Sequence, residues 1–95
     1  MAMIKSFRDR DTERLFNRKP VRRLREVERA ARRKLEMVDA AENLDNLRLP
    51  PGNHLEVLKG DRKGQHSLRV NDTWRICFVW GDDNSAYDVE VCDYH

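Results

Sequence analysis

Long apolar runs, glycine, proline and cysteine are all scarce in this 95-residue chain, and each shortage excludes a class of protein. No apolar stretch approaches the ~20 residues a membrane-crossing helix requires. No charged-then-apolar leader precedes the first polar segment, so the expectation is a soluble, cytoplasmic protein with no membrane partner. The 4 glycines form no phosphate-cradling P-loop. The 2 cysteines, Cys77 and Cys92, lie in separate apolar runs without Cys-x-x-Cys or other metal-ligand spacing. They are expected as reduced, half-buried thiols rather than as a disulfide. No carboxylate–histidine cluster has metal spacing either, so no metal and no other cofactor is expected. Repeats and low-complexity segments are missing, and the length suits one domain, residues 1–95, around one core.

What is present is charge. Charged residues make up 38% of the chain and apolar residues 39%, and the apolar ones cluster periodically, which argues for a globular domain. The net charge is only +2, yet residues 1–34 carry 13 Lys/Arg against 5 Asp/Glu, and residues 35–95 carry 6 against 12. A basic block of this kind attracts a polyanion such as rRNA or mRNA, or an acidic protein. A solvated helix face is the alternative, and the charge split favours the polyanion partner only slightly.

The coarse organisation changes period once. Met3 to Phe7 alternates as a short, half-buried strand does. Asp11 or Thr12 is positioned to cap a brief helix through Asn17, with Leu15 and Phe16 as its apolar contacts. Pro20 then opens a longer helix on which Val21, Leu24, Val27, Ala31, Leu35 and Val38 form one apolar stripe. Arg22, Arg25, Arg29, Arg32 and Arg33 fall largely off that stripe and face solvent or a ligand, with Arg29, Arg32 and Arg33 as RNA-binding candidates. Residues 43–53, with Pro50-Pro51-Gly52, read as a loop. From His54 onward the period is 2, with strands at about 54–59, 65–70, 74–80 and 86–93. The fold class is therefore α+β, with two helices on one face of a mainly antiparallel sheet.

The hairpin around Asn71-Asp72-Thr73 carries the sharpest argument. A two-residue turn would mix charge and apolar bulk on both faces. A three-residue turn pairs Leu68 with Ile76 and Val70 with Trp74, so Trp74, Ile76, Phe78 and Trp80 line one buried face. Burial selects that register, which places His66 opposite Phe78 as a structural residue. It also makes Arg69 and Arg75 opposed partners on the other face, beside Ser67 and Cys77. Opposed like charges cost a few tenths to ~1 kcal/mol. Either Glu56, Asp88 and Glu90 compensate them, or both guanidiniums converge on a phosphate.

Other candidates gather around this face. Lys59 ends the first strand and Arg62 sits in the following loop, and His54 and Glu56 share one of that strand's faces as a possible acid–base pair. The segment Asp93-Tyr94-His95 offers a carboxylate, a phenol and an imidazole directly after a strand. Histidine suits proton transfer near neutral pH, and a tyrosine ring can stack on a base. These groups suit RNA cleavage by attack of a ribose 2′-OH on the adjacent phosphodiester, with arginines stabilising the developing charge.

Several motifs in one order resemble a known family. They are Met3-Ile4-Lys5-Ser6-Phe7, Pro50-Pro51-Gly52-Asn53, Leu58-Lys59-Gly60-Asp61-Arg62, Gly64-Gln65-His66-Ser67, Arg69-Val70-Asn71-Asp72, Trp74-Arg75-Ile76-Cys77-Phe78 and Asp93-Tyr94-His95. Together they resemble HigB-type toxins, the killer proteins of plasmid maintenance. The resemblance implies a RelE-like fold and a ribosome-dependent mRNA endonuclease. It also implies a HigA-type helix-turn-helix antitoxin, with operator DNA bound only through the toxin–antitoxin complex. By the same resemblance Lys59, Arg75, Asp93, Tyr94 and His95 are linked to activity, and Arg69 stands in for an arginine nearer the Trp-Arg pair. Where some members have a histidine three residues before the lysine, this chain has Glu56. The general base is thus open among His95, His54 and Glu56. A ribosome- or rRNA-binding growth inhibitor with little nuclease activity is the alternative. A directly DNA-binding repressor is disfavoured, because the helix pair lacks a short-turn helix-turn-helix pattern.

Overall fold

The computed structural model describes residues 3–93. Asp9 starts the first helix, its carboxylate accepting from the Thr12 N–H at 3.4 Å, and α1 (Arg10–Phe16) follows. Sequence pattern points to Asp11 or Thr12 as the cap, but Thr12 has another task. It is fully buried, and its hydroxyl accepts from the Val91 N–H at 2.9 Å, tying the helix to the sheet.

The expected long helix is split. The chain first winds through a 3₁₀ segment, Arg22–Val27, and only then forms α2 (Glu28–Ala40). Leu24 and Val27 are three apart, so the 3₁₀ turn stacks them on one side, and both are buried. Ala31, Leu35 and Val38 continue the stripe along α2 into the same core. Arg23 fastens the 3₁₀ segment to the start of α1, pairing with Asp11 at 2.7 Å and Asp9 at 3.0 Å.

The loop after α2 is ordered by asparagines. Asn43 and Asn46 cap a 3₁₀ turn, Leu44–Arg48, reciprocally. Asn53 is fully buried, and its amide donates to the Leu47 and Leu49 carbonyls at 3.3 and 3.2 Å. Its oxygen accepts from Lys34 Nζ on α2. The Pro50–Asn53 turn is thus pinned to the helix layer.

Four strands follow: β1 (Glu56–Val57), β2 (His66–Arg69), β3 (Trp74–Trp80) and β4 (Ala86–Asp93). They pair antiparallel in chain order. The first is much shorter than the expected 54–59: His54 takes a left-handed conformation (φ 44) that ends the preceding turn, and Lys59 already occupies the N-cap position of the following 3₁₀ turn, Gly60–Arg62. The hairpin register is the one that burial selects, with His66 opposite Phe78, Leu68 opposite Ile76 and Arg69 opposite Arg75. Asn71 shapes the turn, its side-chain oxygen accepting from the Thr73 and Trp74 N–H groups at 2.8 Å each. A bulge interrupts the β3–β4 ladder between Cys77 and Val79, where Asp88 sits at φ 53. The expected N-terminal strand reduces to two isolated parallel bridges, Ile4 to Ala86 and Phe7 to Val89, which shield the outer edge of β4.

Both helices cover one sheet face, where Leu15, Leu24, Leu35, Val38, Leu68, Ile76, Phe78, Val89 and Val91 form the core. The fold is α+β, as the change of period predicts. Among the described residues no helix is long and apolar enough to cross a membrane.

Candidate active site

Strand alternation sends Glu56, Ser67, Arg69, Arg75, Cys77, Glu90 and Cys92 to the face away from the helices. This face is not bare. Ser67 is fully buried and Cys77 is 1% exposed, because the long side chains around them lie flat across the sheet.

Arg75 is the fixed point. Its Nη1 donates to Ser67 Oγ at 2.8 Å, and its Nη2 pairs with Glu56 Oε1 at 3.1 Å. The side chain is only 11% exposed, so both contacts are partly shielded from water and hold the guanidinium in one place. Arg69, though opposed in register, swings to Asp72 in the turn. The two arginines therefore diverge, and carboxylates offset their repulsion. Glu56 acts as expected, and Asp72 serves where Asp88 and Glu90 were the candidates. Asp88 sits in the bulge in a left-handed conformation.

Glu90 serves a third arginine. Arg62 leaves the 3₁₀ turn Gly60–Arg62 and reaches across to Glu90 at 2.9 Å, with Gln65 accepting a second bond at 3.1 Å. Arg8, from the segment bridged to β4, approaches the same carboxylate at 3.9 Å. Its chain position carries no signal for this face, since only the parallel bridge at Phe7 brings it there. Ser67 was legible as a neighbour of the arginines and Glu90 as a carboxylate compensating Arg69 and Arg75, but Glu90 pairs with Arg62 instead.

Beside Arg75 lies a cleft of about 380 Å³ lined by Glu56, Val57, Leu58, Lys59 and Arg62. It brings together the three candidates Glu56, Lys59 and Arg62. His54 is not with them: it is exposed, outside β1, and on a left-handed residue, so it does not share the strand face of Glu56. Asp93 pairs with Trp74, which assigns it to the opposite face from Arg75 and Cys92. Tyr94 and His95 lie outside the described residues. His66 is structural in its setting. Its ring stacks on Phe78 with centroids 6.1 Å apart, and burial, reinforced by Arg48, lowers its pKa from the usual histidine value.

The helix layer carries a separate basic surface. Arg18, Arg29, Arg32, Arg33 and Glu36 line a depression of about 190 Å³. Arg29 and Arg33 are exposed there. Arg32 is instead engaged internally, donating to the Leu15 carbonyl at 3.0 Å and to Glu28 at 3.2 Å. Among the described residues no group of three or more His, Cys, Asp or Glu could hold a metal ion.

The sequence profile of the HigB-like toxin family, RelE-like toxins of type II toxin–antitoxin systems, matches residues 5–95. The chain belongs to this family. Toxin HigB-1 of Vibrio cholerae serotype O1 is 50% identical over 56 residues, which are 59% of this chain and 59% of that protein. An uncharacterized protein of Haemophilus influenzae is 38% identical over 63 residues, 66% of this chain and 60% of that protein. The matched part of this toxin thus spans about three fifths of the length of each relative. A solved YoeB-YefM complex from Staphylococcus aureus contains a chain that superposes with a TM-score of 0.59 at 15% identity, covering 99% of both chains. That likeness shows the fold, and it makes the α+β arrangement of this HigB-like toxin a RelE-like one.

Proposed function

We propose that this toxin is a ribosome-dependent mRNA endonuclease that inhibits translation. The observation that carries the reading is the immobilised Arg75, held by Ser67 and Glu56 at the edge of a cleft that also presents Lys59 and Arg62. Cleavage of RNA by its own 2′-OH needs cations where charge develops on the phosphorane, a base for the 2′-OH and an acid for the 5′-oxygen. Arg75 is assigned the phosphorane charge, and Lys59, Arg62 and Arg69 hold the flanking phosphates. Glu56 and His95 are assigned the proton transfers, with Tyr94 stacking on or hydrogen bonding to the substrate and Asp93 orienting that segment. The chemistry needs no metal.

A site built of single arginines has little reach for free, flexible RNA, so the ribosome is the proposed holder of the message. The basic helix surface around Arg29 and Arg33 is its proposed contact with rRNA. The toxin acts in the cytoplasm and is neutralised by a HigA-type helix-turn-helix antitoxin, through which alone it meets operator DNA. Family membership supports the antitoxin, because the family is defined by toxin–antitoxin systems.

The pairing of Arg62, Arg69 and Arg75 with carboxylates favours a second reading. In it the helix surface does the binding and toxicity comes from ribosome occupancy. Purified ribosomes programmed with a defined mRNA separate the two. The nuclease reading expects discrete cuts within the message and little cutting of the same RNA when free. Intact message on toxin-bound ribosomes contradicts it.

A further inference from the structure

Two nucleophilic side chains on the arginine face have no part in the proposed reaction. The sulfurs of Cys77 and Cys92 lie 2.8 Å apart, and both are free thiols. In the β3–β4 register Cys77 faces Glu90 and Cys92 faces Arg75, so the two thiols are diagonal neighbours. Diagonal side chains ordinarily stand too far apart for short residues to touch. The adjacent bulge supplies the extra local twist that brings them together.

Their surroundings favour thiol chemistry. Cys92 shares its proton with Cys77, which lowers the Cys77 pKa and raises that of Cys92, and the charges of Arg62 and Arg75 favour a Cys77 thiolate further. Burial of Cys77 and, less strongly, Glu90 oppose this, and Glu90 is itself paired with Arg62. Cys77 is 1% exposed, whereas Cys92 is partly exposed, so a small oxidant arrives at Cys92.

We propose that Cys77 and Cys92 form a site of reversible oxidative modification, at which a peroxide-class oxidant joins the two thiols as an intramolecular disulfide. Cys77 first releases its proton to solvent; the shared proton then moves from Cys92 to the Cys77 thiolate and leaves Cys92 as the attacking thiolate. An S–O bond forms at Cys92 as the peroxide O–O bond breaks, and the leaving hydroxide takes up the proton that the pair had released to solvent, giving a sulfenic acid and a first water. The Cys77 sulfur then attacks the Cys92 sulfur. The S–S bond forms, the S–O bond breaks, and the departing hydroxide takes the Cys77 proton as a second water. Two thiols are oxidised by two electrons, and one hydrogen peroxide is reduced to two waters.

The bond draws β3 and β4 together beneath Arg62 and Arg75 and one residue before Asp93. On the proposed function, and resting on it, this displacement lowers mRNA cleavage by about tenfold.

The test treats the reduced, folded chain with hydrogen peroxide and measures its intact mass. The expected result is a loss of two hydrogens and of both alkylatable thiols, reversed by dithiothreitol. Gain of oxygen without loss of two hydrogens, a covalent dimer, or two thiols that stay alkylatable overturns the proposal. None of these readouts depends on nuclease activity, so they stand or fall separately from the proposed function. In the ribosome assay, peroxide should inhibit the wild type and leave Cys92→Ser and Cys92→Ala active. Disulfide formation with unchanged cleavage overturns the link to the site.

Discussion

Asn53 shows how much one side chain holds in this molecule. Its amide satisfies two loop carbonyls, and its oxygen receives Lys34, all at a fully buried position. Asn53→Ala leaves those carbonyls and a partly desolvated ammonium without partners, a cost of about 2–3 kcal/mol. Urea unfolding should show it as a lower midpoint at unchanged slope. Nothing local announces this role, because the partners are backbone groups and a lysine on another element. His66, by contrast, is readable as structural from the strand register alone. Its lowered pKa means the unfolded chain binds the proton more tightly. Its contribution to stability is therefore complete above the ordinary histidine value of about 6.5 and is lost as pH falls through the lower folded value. The urea midpoint should decline over that interval, and His66→Leu should flatten the decline. An identical pH profile in the variant would assign the effect to other groups.

At the scale of elements, the hairpin was legible because its alternation tolerates only one register. Leu68, Val70, Trp74 and Ile76 segregate from Arg69 and Arg75 with a three-residue turn and not with a two-residue one. Asn71→Ala removes both side-chain bonds that shape this turn and should cost about 1 kcal/mol, measurable as a lower thermal midpoint. Elements governed by distant partners were less legible. The α2 stripe runs unbroken in sequence, yet the chain changes from 3₁₀ to α winding within it, where Arg23 is tied back to α1. The N-terminal segment alternates like a strand but finds a parallel partner at only two points. β1 starts late after one left-handed residue, His54, which also takes that histidine off the strand face. The candidate site divides along the same line. Lys59, Arg62 and Glu56 line one cleft, as their positions around a strand end suggest. The divergence of Arg69 from Arg75 depends on side-chain partners that alternation does not encode.

For the whole molecule, the sheet separates two basic surfaces. Arg75, Arg62 and Lys59 lie on the side away from the helices, while Arg29 and Arg33 lie on the helix layer. Binding and chemistry should therefore be separable by mutation. The Arg29→Glu/Arg33→Glu double variant should weaken ribosome association by about tenfold, with a shallower salt dependence, while cleavage per bound toxin stays near wild type. Co-sedimentation at several salt concentrations measures this directly. The central claim is that Arg75 stabilises the charge of RNA cleavage, and it rests on one comparison. The cleavage rate per ribosome-bound toxin should be measured on a defined message for wild type and Arg75→Ala at matched occupancy. A fall of about 10²–10³-fold with association retained is the predicted result. Wild-type cutting by Arg75→Ala would contradict the account.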